Sequence, residues 1–371
     1  MDFRMIPISA QHNEFDIKQQ RPVASETRSF VTGEALFLSP LPVPTGQLPV
    51  DIGGKFIEVN DTYLDIGTSN SGKALQARIM IANTMFIAFF FFIFAPLLAG
   101  TTAWGNPYGV TFWSRAEVVL DYAFYMALGL TGATALIAIY VITGTTIKKS
   151  KTTPVRFNRQ RREVCYIPEK SDTPIIRPWE ETIAWLSIGT GTTGVGVVKT
   201  FTLGIAIEDK ANGVAYYIND TVPSPFHGLG QWEAMRSYME KGPEFCPGKA
   251  PYEGRHTFDK ERQDMHEEYQ HNERSAFGVG LWYLTHLITW WRFPYWVAEW
   301  DHRFSMKSLP NSIAEWSKPL PSEQWAKPSS ALNEQSAKIE RAFAQGQDFM
   351  TYFKANLSKT EARESAESSA L

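Results

Sequence analysis

Two uncharged apolar runs of bilayer length lie close together in the first half of the chain. They occupy residues 79–98 and 122–143, and neither contains Asp, Glu, Lys, Arg or His. A helix needs about 20 apolar residues to cross a hydrocarbon core about 30 Å thick. The mean hydropathy of the whole chain is only −0.23, so apolar character is concentrated in these runs. The pattern predicts a transmembrane hairpin over residues 79–143, and a pair of buried core helices is the alternative.

The cations that flank the two runs predict the topology of the hairpin. Lys73 and Arg78 precede the first run, the connecting segment contains only Arg115, and seven cations follow the second run. Because Lys and Arg are enriched in cytoplasmic flanks, we expect both termini in the cytoplasm. The seven cations form a predicted basic cluster at the membrane surface: Lys148, Lys149, Lys151, Arg156, Arg159, Arg161 and Arg162. Each would contribute about 1 kcal/mol beside anionic headgroups, and a solvated face without lipid specificity is the alternative.

Five tryptophans are candidates for the membrane–water interface, where Trp is enriched. They are Trp104, Trp113, Trp282, Trp290 and Trp291. The last three belong to a Trp-rich stretch at residues 276–300, whose apolar part is interrupted by His286 and Arg292 and is too short to span. We interpret this stretch as a helix that lies in the interface, with a helix packed on the neighbouring domain as the alternative.

The remaining segments predict an α+β protein built around the hairpin. Residues 1–54 are polar and contain several prolines, which indicates an extended arm, and residues 55–78 are a strand segment that leads to the membrane. Short β-rich segments over 144–225 predict a small antiparallel β domain. Helical periodicity then predicts a Trp-rich helical region over 226–317 and a weakly helical to disordered tail over 318–371. The predicted fold class is therefore membrane α+β.

One short motif has the spacing of a phosphate-binding loop. Residues 67–73, GTSNSGK, match G-x-x-x-x-G-K, but Ala74 stands where Mg²⁺ binding needs Ser or Thr. The motif also leads into an apolar run, so we interpret it as a linker. The seven histidines and two cysteines form no metal-spaced motif. We expect no catalytic residue, no metal and no cofactor, and the net charge of −3 gives no indication of nucleic-acid binding.

Several segments, taken in order, resemble a known family. They are residues 60–66, the two apolar runs, and residues 154–167, 177–185, 199–203 and 231–243. Over about residues 55–245 the chain resembles an uncharacterised proteobacterial two-span membrane-protein family, domain of unknown function 6708. The resemblance implies the bacterial inner membrane and, because such genes often neighbour type VI secretion effector genes, a role in that system. It carries over no functional residue, since none is established for the family.

A second resemblance concerns the β domain alone. The order of strand, basic turn, strand and P-W-E-E at residues 154–181 is similar to bacterial membrane-tethered pleckstrin-like domains. It implies a small β domain directly under the hairpin and says nothing about its ligand. We expect Trp179 to be a core residue of this domain.

Three functional hypotheses follow. We expect a non-enzymatic inner-membrane protein that contacts the lipid bilayer and binds a partner protein, as an accessory or immunity protein whose partner is a type VI secretion effector. The first alternative is a membrane-inserting, pore-forming antibacterial toxin, although neither run has a polar face to line a pore. The second is an interfacial lipid-acting enzyme, for which no nucleophile or metal site is recognisable.

Overall fold

The computed structural model describes residues 2–7, 21–24, 26–30, 33–68, 71–104, 108–169, 171, 173–193, 196–304, 309–349 and 351–352. The chain divides into two compact units, each built from separated segments. Unit 1 comprises Met1–Ser69, Thr152–Ala250 and Lys307–Leu371, and unit 2 comprises Asn70–Lys151 and Pro251–Met306. The polypeptide therefore leaves unit 1 twice and returns twice.

The described residues form the following strands and helices. The strands are β1 (Asp2–Pro7), β2 (Thr27–Phe30), β3 (Gly33–Ser39), β4 (Phe56–Val59), β5 (Tyr63–Ile66), β6 (Val155–Asn158), β7 (Glu163–Tyr166), β8 (Ile175–Pro178), β9 (Ile183–Thr193), β10 (Gly196–Asp209) and β11 (Val214–Val222). The helices are α1 (Lys73–Phe89), α2 (Ala95–Thr101), α3 (Phe112–Ser150), α4 (Pro225–Glu240), α5 (Arg255–Gln270), α6 (Ala276–Ile288), α7 (Phe293–Phe304), α8 (Asn311–Trp316) and α9 (Ser330–Ala344).

Unit 1 contains two antiparallel sheets that share one core. The six-stranded sheet has the order β1-β11-β10-β9-β3-β2, and the five-stranded sheet has the order β4-β5-β6-β7-β8. Buried side chains from both sheets, α4 and α9 belong to one apolar cluster. Its aromatic centre is Trp179, whose ring centroid lies 5.7 Å from that of Phe157 and 5.1 Å from that of Trp232. Trp179 is therefore a core residue, and the fold class is α+β.

Helix α4 is buried along most of its length. Ser224 caps its first turn by accepting the amide hydrogen of His227, and Pro225 occupies the first helical position, where its missing N–H costs nothing. Burial of such a helix also buries polar side chains, and these are paired. Arg236 forms an ion pair with Glu233, which also accepts hydrogen bonds from the amide and hydroxyl of Thr45 at 2.9 Å each. The pairing offsets the desolvation penalty that an isolated buried charge would carry.

The first leg of the hairpin is one continuous helical segment with a local irregularity. A π-helical turn, Phe90–Phe94, joins α1 to α2. Pro96 follows directly, and a proline inside a helix removes one hydrogen bond and clashes with the carbonyl four residues earlier. The wider turn accommodates this: the amide of Ala95 donates to the carbonyl of Phe90, five residues back.

Helix α3 forms the second leg and packs against the first along its length. Gly100 of α2 allows close approach, since a Cβ there would lie 2.6 Å from the ring of Phe112. The rings of Phe92 and Phe124 lie 5.8 Å apart, edge to face. Gly129 and Gly132, by contrast, have no atom within 4 Å of a Cβ built on them. These two glycines therefore do not mediate the contact with the first leg.

Both legs are long and apolar enough to cross a bilayer. They cover Lys73–Thr101 with 29 residues and Phe112–Ser150 with 39 residues, and their most apolar windows have mean hydropathies of 2.2 and 1.9. Only 17% and 11% of those windows is buried, whereas the core helix of a soluble protein is mostly buried. Helix α3 extends beyond the uncharged run at both ends, so residues 112–121 are helix rather than loop.

The second segment of unit 2 folds into three helices. Helices α5, α6 and α7 pack around Phe258, which contacts Tyr295 and Ala298 of α7 and Ala74 of α1. Trp282 and Trp291 pack against the same cluster. The Trp-rich stretch is thus two helices with a turn between them.

Two terminal segments contain elements that pack in unit 1. The N-terminal arm, residues 1–54, includes β3, which pairs with β9 and is buried over five consecutive residues. Its apolar run ALFL lacks the alternation that identifies a half-buried strand. The predicted tail, 318–371, includes α9, which buries Leu332 and Ile339 in the core of unit 1. Parts of the predicted arm (residues 8–20) and tail (residues 353–371) lie outside the described residues.

The β domain predicted at residues 144–225 also differs from the structure. Residues 144–150 belong to α3, and both sheets recruit strands that precede the hairpin in sequence. Strand β5 pairs with β6, so Ile66, which precedes the hairpin in sequence, is the register partner of Val155, which follows it. Such long-range pairing leaves no local pattern, so the sequence places the boundary too late.

Candidate functional site

A buried ion cluster joins the charged ends of the two legs to α7. The carboxylate of Asp301 is fully buried, with Lys73 Nζ at 3.2 Å and Lys149 Nζ at 3.0 Å. The hydroxyl of Thr146 donates to the same carboxylate. Lys73 also donates to the hydroxyl of Thr145 at 2.6 Å and to the carbonyl of Ile142 at 3.2 Å. One carboxylate thus links the start of α1 to the end of α3.

The environment of Asp301 keeps it ionised. Burial alone would raise the pKa of this carboxyl, but the hydrogen bond from Thr146 and the charges of Lys149 and Lys73 outweigh it and lower the pKa below its usual value. A buried charge that accepts hydrogen bonds and faces two cations is the arrangement that can offset desolvation. The stabilisation is present above the ordinary Asp pKa and is lost as the pH falls through the lowered one.

The GTSNSGK motif begins a helix and holds an internal carboxylate. Gly72 adopts φ 77° and precedes α1, and the amides of Gly72 and Ala74 each donate to Glu253 at 2.9 Å. A phosphate loop presents such amides, with a lysine, to the nucleotide. Here the carboxylate of Glu253 takes the place of the phosphate and Lys73 is paired with Asp301. The segment acts as a helix start, capped by a residue from the second segment of unit 2.

A second polar cluster lies around Arg78, the last charged residue before the uncharged run. Its guanidinium lies 3.0 Å from Nε2 of His286 and donates to the hydroxyl of Tyr295 at 2.8 Å. The Tyr295 hydroxyl in turn donates to Glu261. Since the guanidinium can only donate, Nε2 of His286 must accept, and Nδ1 lies 2.8 Å from the carbonyl of Trp282 as a donor. This geometry requires the neutral imidazole.

Acid should therefore weaken unit 2 through His286. Burial, with the charge of Arg78, lowers the pKa of His286 below its ordinary 6.5. The folded state then binds this proton less readily than the unfolded state, so stability is full above about pH 6.5 and falls as the pH drops through the lowered pKa. We expect thermal unfolding of the purified protein, followed by tryptophan fluorescence, to show this loss. His286→Gln should flatten the dependence, and His271→Gln, an exposed histidine, should leave it unchanged. An equal acid response in His286→Gln would contradict the assignment.

The four arginines of the predicted basic cluster have internal partners in unit 1. Arg156 forms a bidentate pair with Asp65, and its two bonds measure 2.7 and 2.6 Å. Arg162 donates to Glu240 and Glu180 at 2.8–3.0 Å. Arg159 donates to the carbonyl of Lys241, and Arg161 to that of Trp316. These contacts give the arginines a structural role that local sequence does not reveal, because their partners lie up to 161 residues away.

The lysines of the cluster differ from the arginines. Lys149 belongs to the Asp301 cluster, whereas Lys148 and Lys151 are exposed at the end of α3. Cations at a helix C-terminus also complement its dipole. Within the predicted cluster, Lys148 and Lys151 are thus the two exposed lysines at the charged end of the hairpin.

The five predicted interfacial tryptophans fall into two groups. Trp104, Trp113 and Trp290 are exposed, whereas Trp282 and Trp291 are half-buried and pack on Phe258. Sequence spacing does not separate the groups, because Trp290 and Trp291 are adjacent. Both have positive φ, 62° and 54°, and this turn directs the two side chains to different environments.

Unit 1 contains a cavity of about 580 Å³ beside the turn between β4 and β5. Its walls include Tyr63, Arg159 and Trp325, and the Arg159 guanidinium lies 5.3 Å from the Trp325 ring centroid. Asp61 also lines this cavity. Among the residues with described positions, no three His, Cys, Asp or Glu side chains form a group that could hold a metal ion.

Comparison with known proteins identifies the family. A family model, the family of unknown function DUF6708, matches residues 133–328, more than half of the chain. The match includes the Trp-rich stretch, which lies beyond the resemblance over residues 55–245, and excludes the first leg. No curated protein and no solved structure matches the chain. The predicted assignment to an uncharacterised family is confirmed, and the chain belongs to the family of unknown function DUF6708.

Proposed function

We propose that the protein is a membrane-anchored accessory protein whose hairpin spans the bacterial inner membrane and whose unit 1 binds a partner protein. The observation that supports membrane anchoring is the distribution of apolar and charged side chains on the hairpin. Its two legs expose apolar side chains over most of their length, and the Lys73–Asp301–Lys149 cluster lies at one end. An anchor needs an apolar surface without charge in the hydrocarbon region.

Cations at that same end support a cytoplasmic location for both termini. Lys73, Arg78, Lys148 and Lys151 lie at the end formed by the start of α1 and the end of α3. The other end carries Arg115. The positive-inside rule then favours an in–out–in hairpin.

Reporter fusions test this topology. A periplasm-active phosphatase joined after Trp104 should be active, and the same enzyme joined after residue 371 should be inactive. A cytoplasm-active fluorescent reporter should give the opposite pattern. Equal activity at both positions would refute the hairpin.

A projecting β ribbon is the surface of unit 1 that we assign to the partner. Pairing of β3 with β9 ends at Gly189, and pairing of β11 with β10 ends at Phe201. Beyond these points β9 and β10 continue as a two-stranded ribbon. The structure describes no third strand beside residues 190–193 and 197–200. Val197 and Val198 are exposed there. Open strand edges with apolar side chains favour a partner that adds a strand.

Shortening the ribbon should therefore abolish capture of the partner. Replacing residues 191–198 by Asn-Gly joins Thr190 to Lys199, which are register partners, and leaves the sheet intact. We expect pull-down from membranes of the native host to recover a protein with the full chain and to lose it about tenfold or more with the shortened ribbon. Lys210→Ala, which removes an exposed pair with Glu181, is the matched control and should retain capture. Equal recovery with the shortened chain would exclude the ribbon as the binding surface.

The family resemblance favours a partner encoded at a type VI secretion locus, with an accessory or immunity role for this chain. The two antiparallel sheets sharing a core with α4 are compatible with a pleckstrin-like domain.

Expression of the chain alone in a bacterium distinguishes an accessory or immunity protein from the alternative, a pore-forming toxin. Normal growth and membrane potential are expected for an accessory or immunity protein, and depolarisation would favour a pore.

A further inference from the structure

Helix α6 exposes a row of large apolar side chains on one face. Phe277, Leu281, Leu284 and Ile288 are separated by four, three and four residues, the spacing of a single helix face. Their exposed fractions are 80%, 52%, 52% and 48%. Soluble proteins rarely expose contiguous apolar patches of this kind without a ligand.

The opposite face of α6 is the one that packs within unit 2. Trp282 stacks on His286, with ring centroids 3.8 Å apart, and both rings contact Phe258 of α5. These contacts hold the helix from the side opposite the exposed row. Its orientation is fixed by these contacts, so the exposed row points in one defined direction.

A second row of exposed apolar side chains lies in the turn after α6 and in α7. The ring of Trp290 lies 5.6 Å from that of Phe293, which stacks at 5.5 Å on Trp296. All three side chains are exposed. The positive φ of Trp290, unusual for a bulky residue, places its ring in this row. The apolar face of α6 and these three rings together define the α6 surface.

Two contacts set the position of the α6 surface along the hairpin. His286 lies against Arg78, the last charged residue of α1 before its uncharged run starts at Ile79. Asp301 of α7 pairs with Lys149 in the last turn of α3. The α6 surface thus lies beside the level at which both legs change from charged to apolar.

We propose that the α6 surface is a membrane-interface contact, occupied by phospholipid at the boundary between headgroups and acyl chains. The inference rests on the proposed anchoring role of the hairpin. Helix α6 has 13 residues and is about 20 Å long, too short to cross a core of about 30 Å. A one-sided apolar helix flanked by tryptophans matches an interfacial helix, which inserts to about 5–10 Å. Lipid is favoured over protein because the legs fix this surface at interfacial depth.

Depth-dependent quenching tests the proposal. A fluorophore is attached at Leu284→Cys, at Leu136→Cys in the middle of α3, or at Asp264→Cys on the exposed side of α5, in a chain with Cys246→Ser. Cys165 is buried, and buried cysteines are inert to labelling. The full-length chain is reconstituted in vesicles of phosphatidylethanolamine and phosphatidylglycerol that carry a nitroxide at a shallow or a deep acyl position.

The three positions give distinct expected results. The Leu284 label should be quenched about twofold or more by the shallow nitroxide and less by the deep one, as an insertion of about 5–10 Å requires. The Leu136 label should be quenched more by the deep nitroxide, and the Asp264 label by neither. Quenching at Leu136 without quenching at Leu284 would leave the anchor intact and overturn the interfacial helix, in favour of protein or solvent there. No quenching at Leu136 would overturn the anchor itself.

Discussion

Replacing Asp301 by alanine should destabilise unit 2 by about 3–5 kcal/mol, because removal of one partner leaves buried like charges uncompensated. Lys73 is almost fully buried beside the carboxylate, and Lys149 approaches it from the other side. The loss should appear as a lower unfolding temperature of the detergent-solubilised protein. Asp301→Asn keeps an acceptor for Thr146 and should recover little of the loss, since the missing charge is its cause.

Asp259→Ala is the control for this effect. Like Asp301, Asp259 pairs with a cation, which here is Arg292, but both side chains of this pair are about half exposed. Exposed pairs contribute about 0–1 kcal/mol, so this variant should unfold almost like the unchanged protein. A similar small effect in Asp301→Ala would show that the buried cluster does not hold the hairpin to α7.

Replacing Trp179 by alanine should destabilise unit 1 by about 3–5 kcal/mol, the usual loss for a buried tryptophan. Its side chain is fully buried against Phe157 and Trp232, and its Nε1 donates to Glu240 at 2.9 Å. Glu240 also accepts from Arg162, so the substitution disturbs packing and an ion pair together. Denaturant unfolding followed by circular dichroism of the sheets measures the loss.

Two further variants test how ring packing and the hydrogen bond to Glu240 contribute to the loss in Trp179→Ala. Trp179→Phe retains part of the ring packing and removes the donor to Glu240, so an intermediate loss is expected. Phe226→Ala removes an aromatic ring that is 70% exposed in the same unit and should change stability by about 0.5 kcal/mol or less. A loss in Trp179→Ala no larger than this control would exclude a core role for Trp179.

The sequence predicted the elements whose signal is local. The two apolar runs fall within the two helical legs, and the helical region predicted from residue 226 onwards begins where α4 forms. A run of uncharged residues or a 3.6-residue period is decided by neighbours in the chain. These features therefore needed no knowledge of the fold.

The polar clusters could not be predicted because their members lie far apart in sequence. Asp301 and Lys73 are separated by 228 positions, and Glu253 caps a helix that begins about 180 residues earlier. The prediction placed Arg156 and Arg162 at the membrane surface because their partners, Asp65 and Glu240, are distant in sequence. Charge alone does not distinguish a cation that faces lipid from one that pairs inside a domain.

The wide separation of Asp301 from its two lysines has a consequence for biosynthesis. Lys149 leaves the ribosome 152 residues before Asp301 does, which at about 5–20 residues per second is roughly 8–30 s, and Lys73 leaves it earlier still. During that interval neither ammonium group has its carboxylate. For a hairpin inserted as proposed, both lysines thus count as positive charges while orientation is decided. Asp301 neutralises part of that charge only afterwards, so the folded protein conceals some of the signal that oriented it.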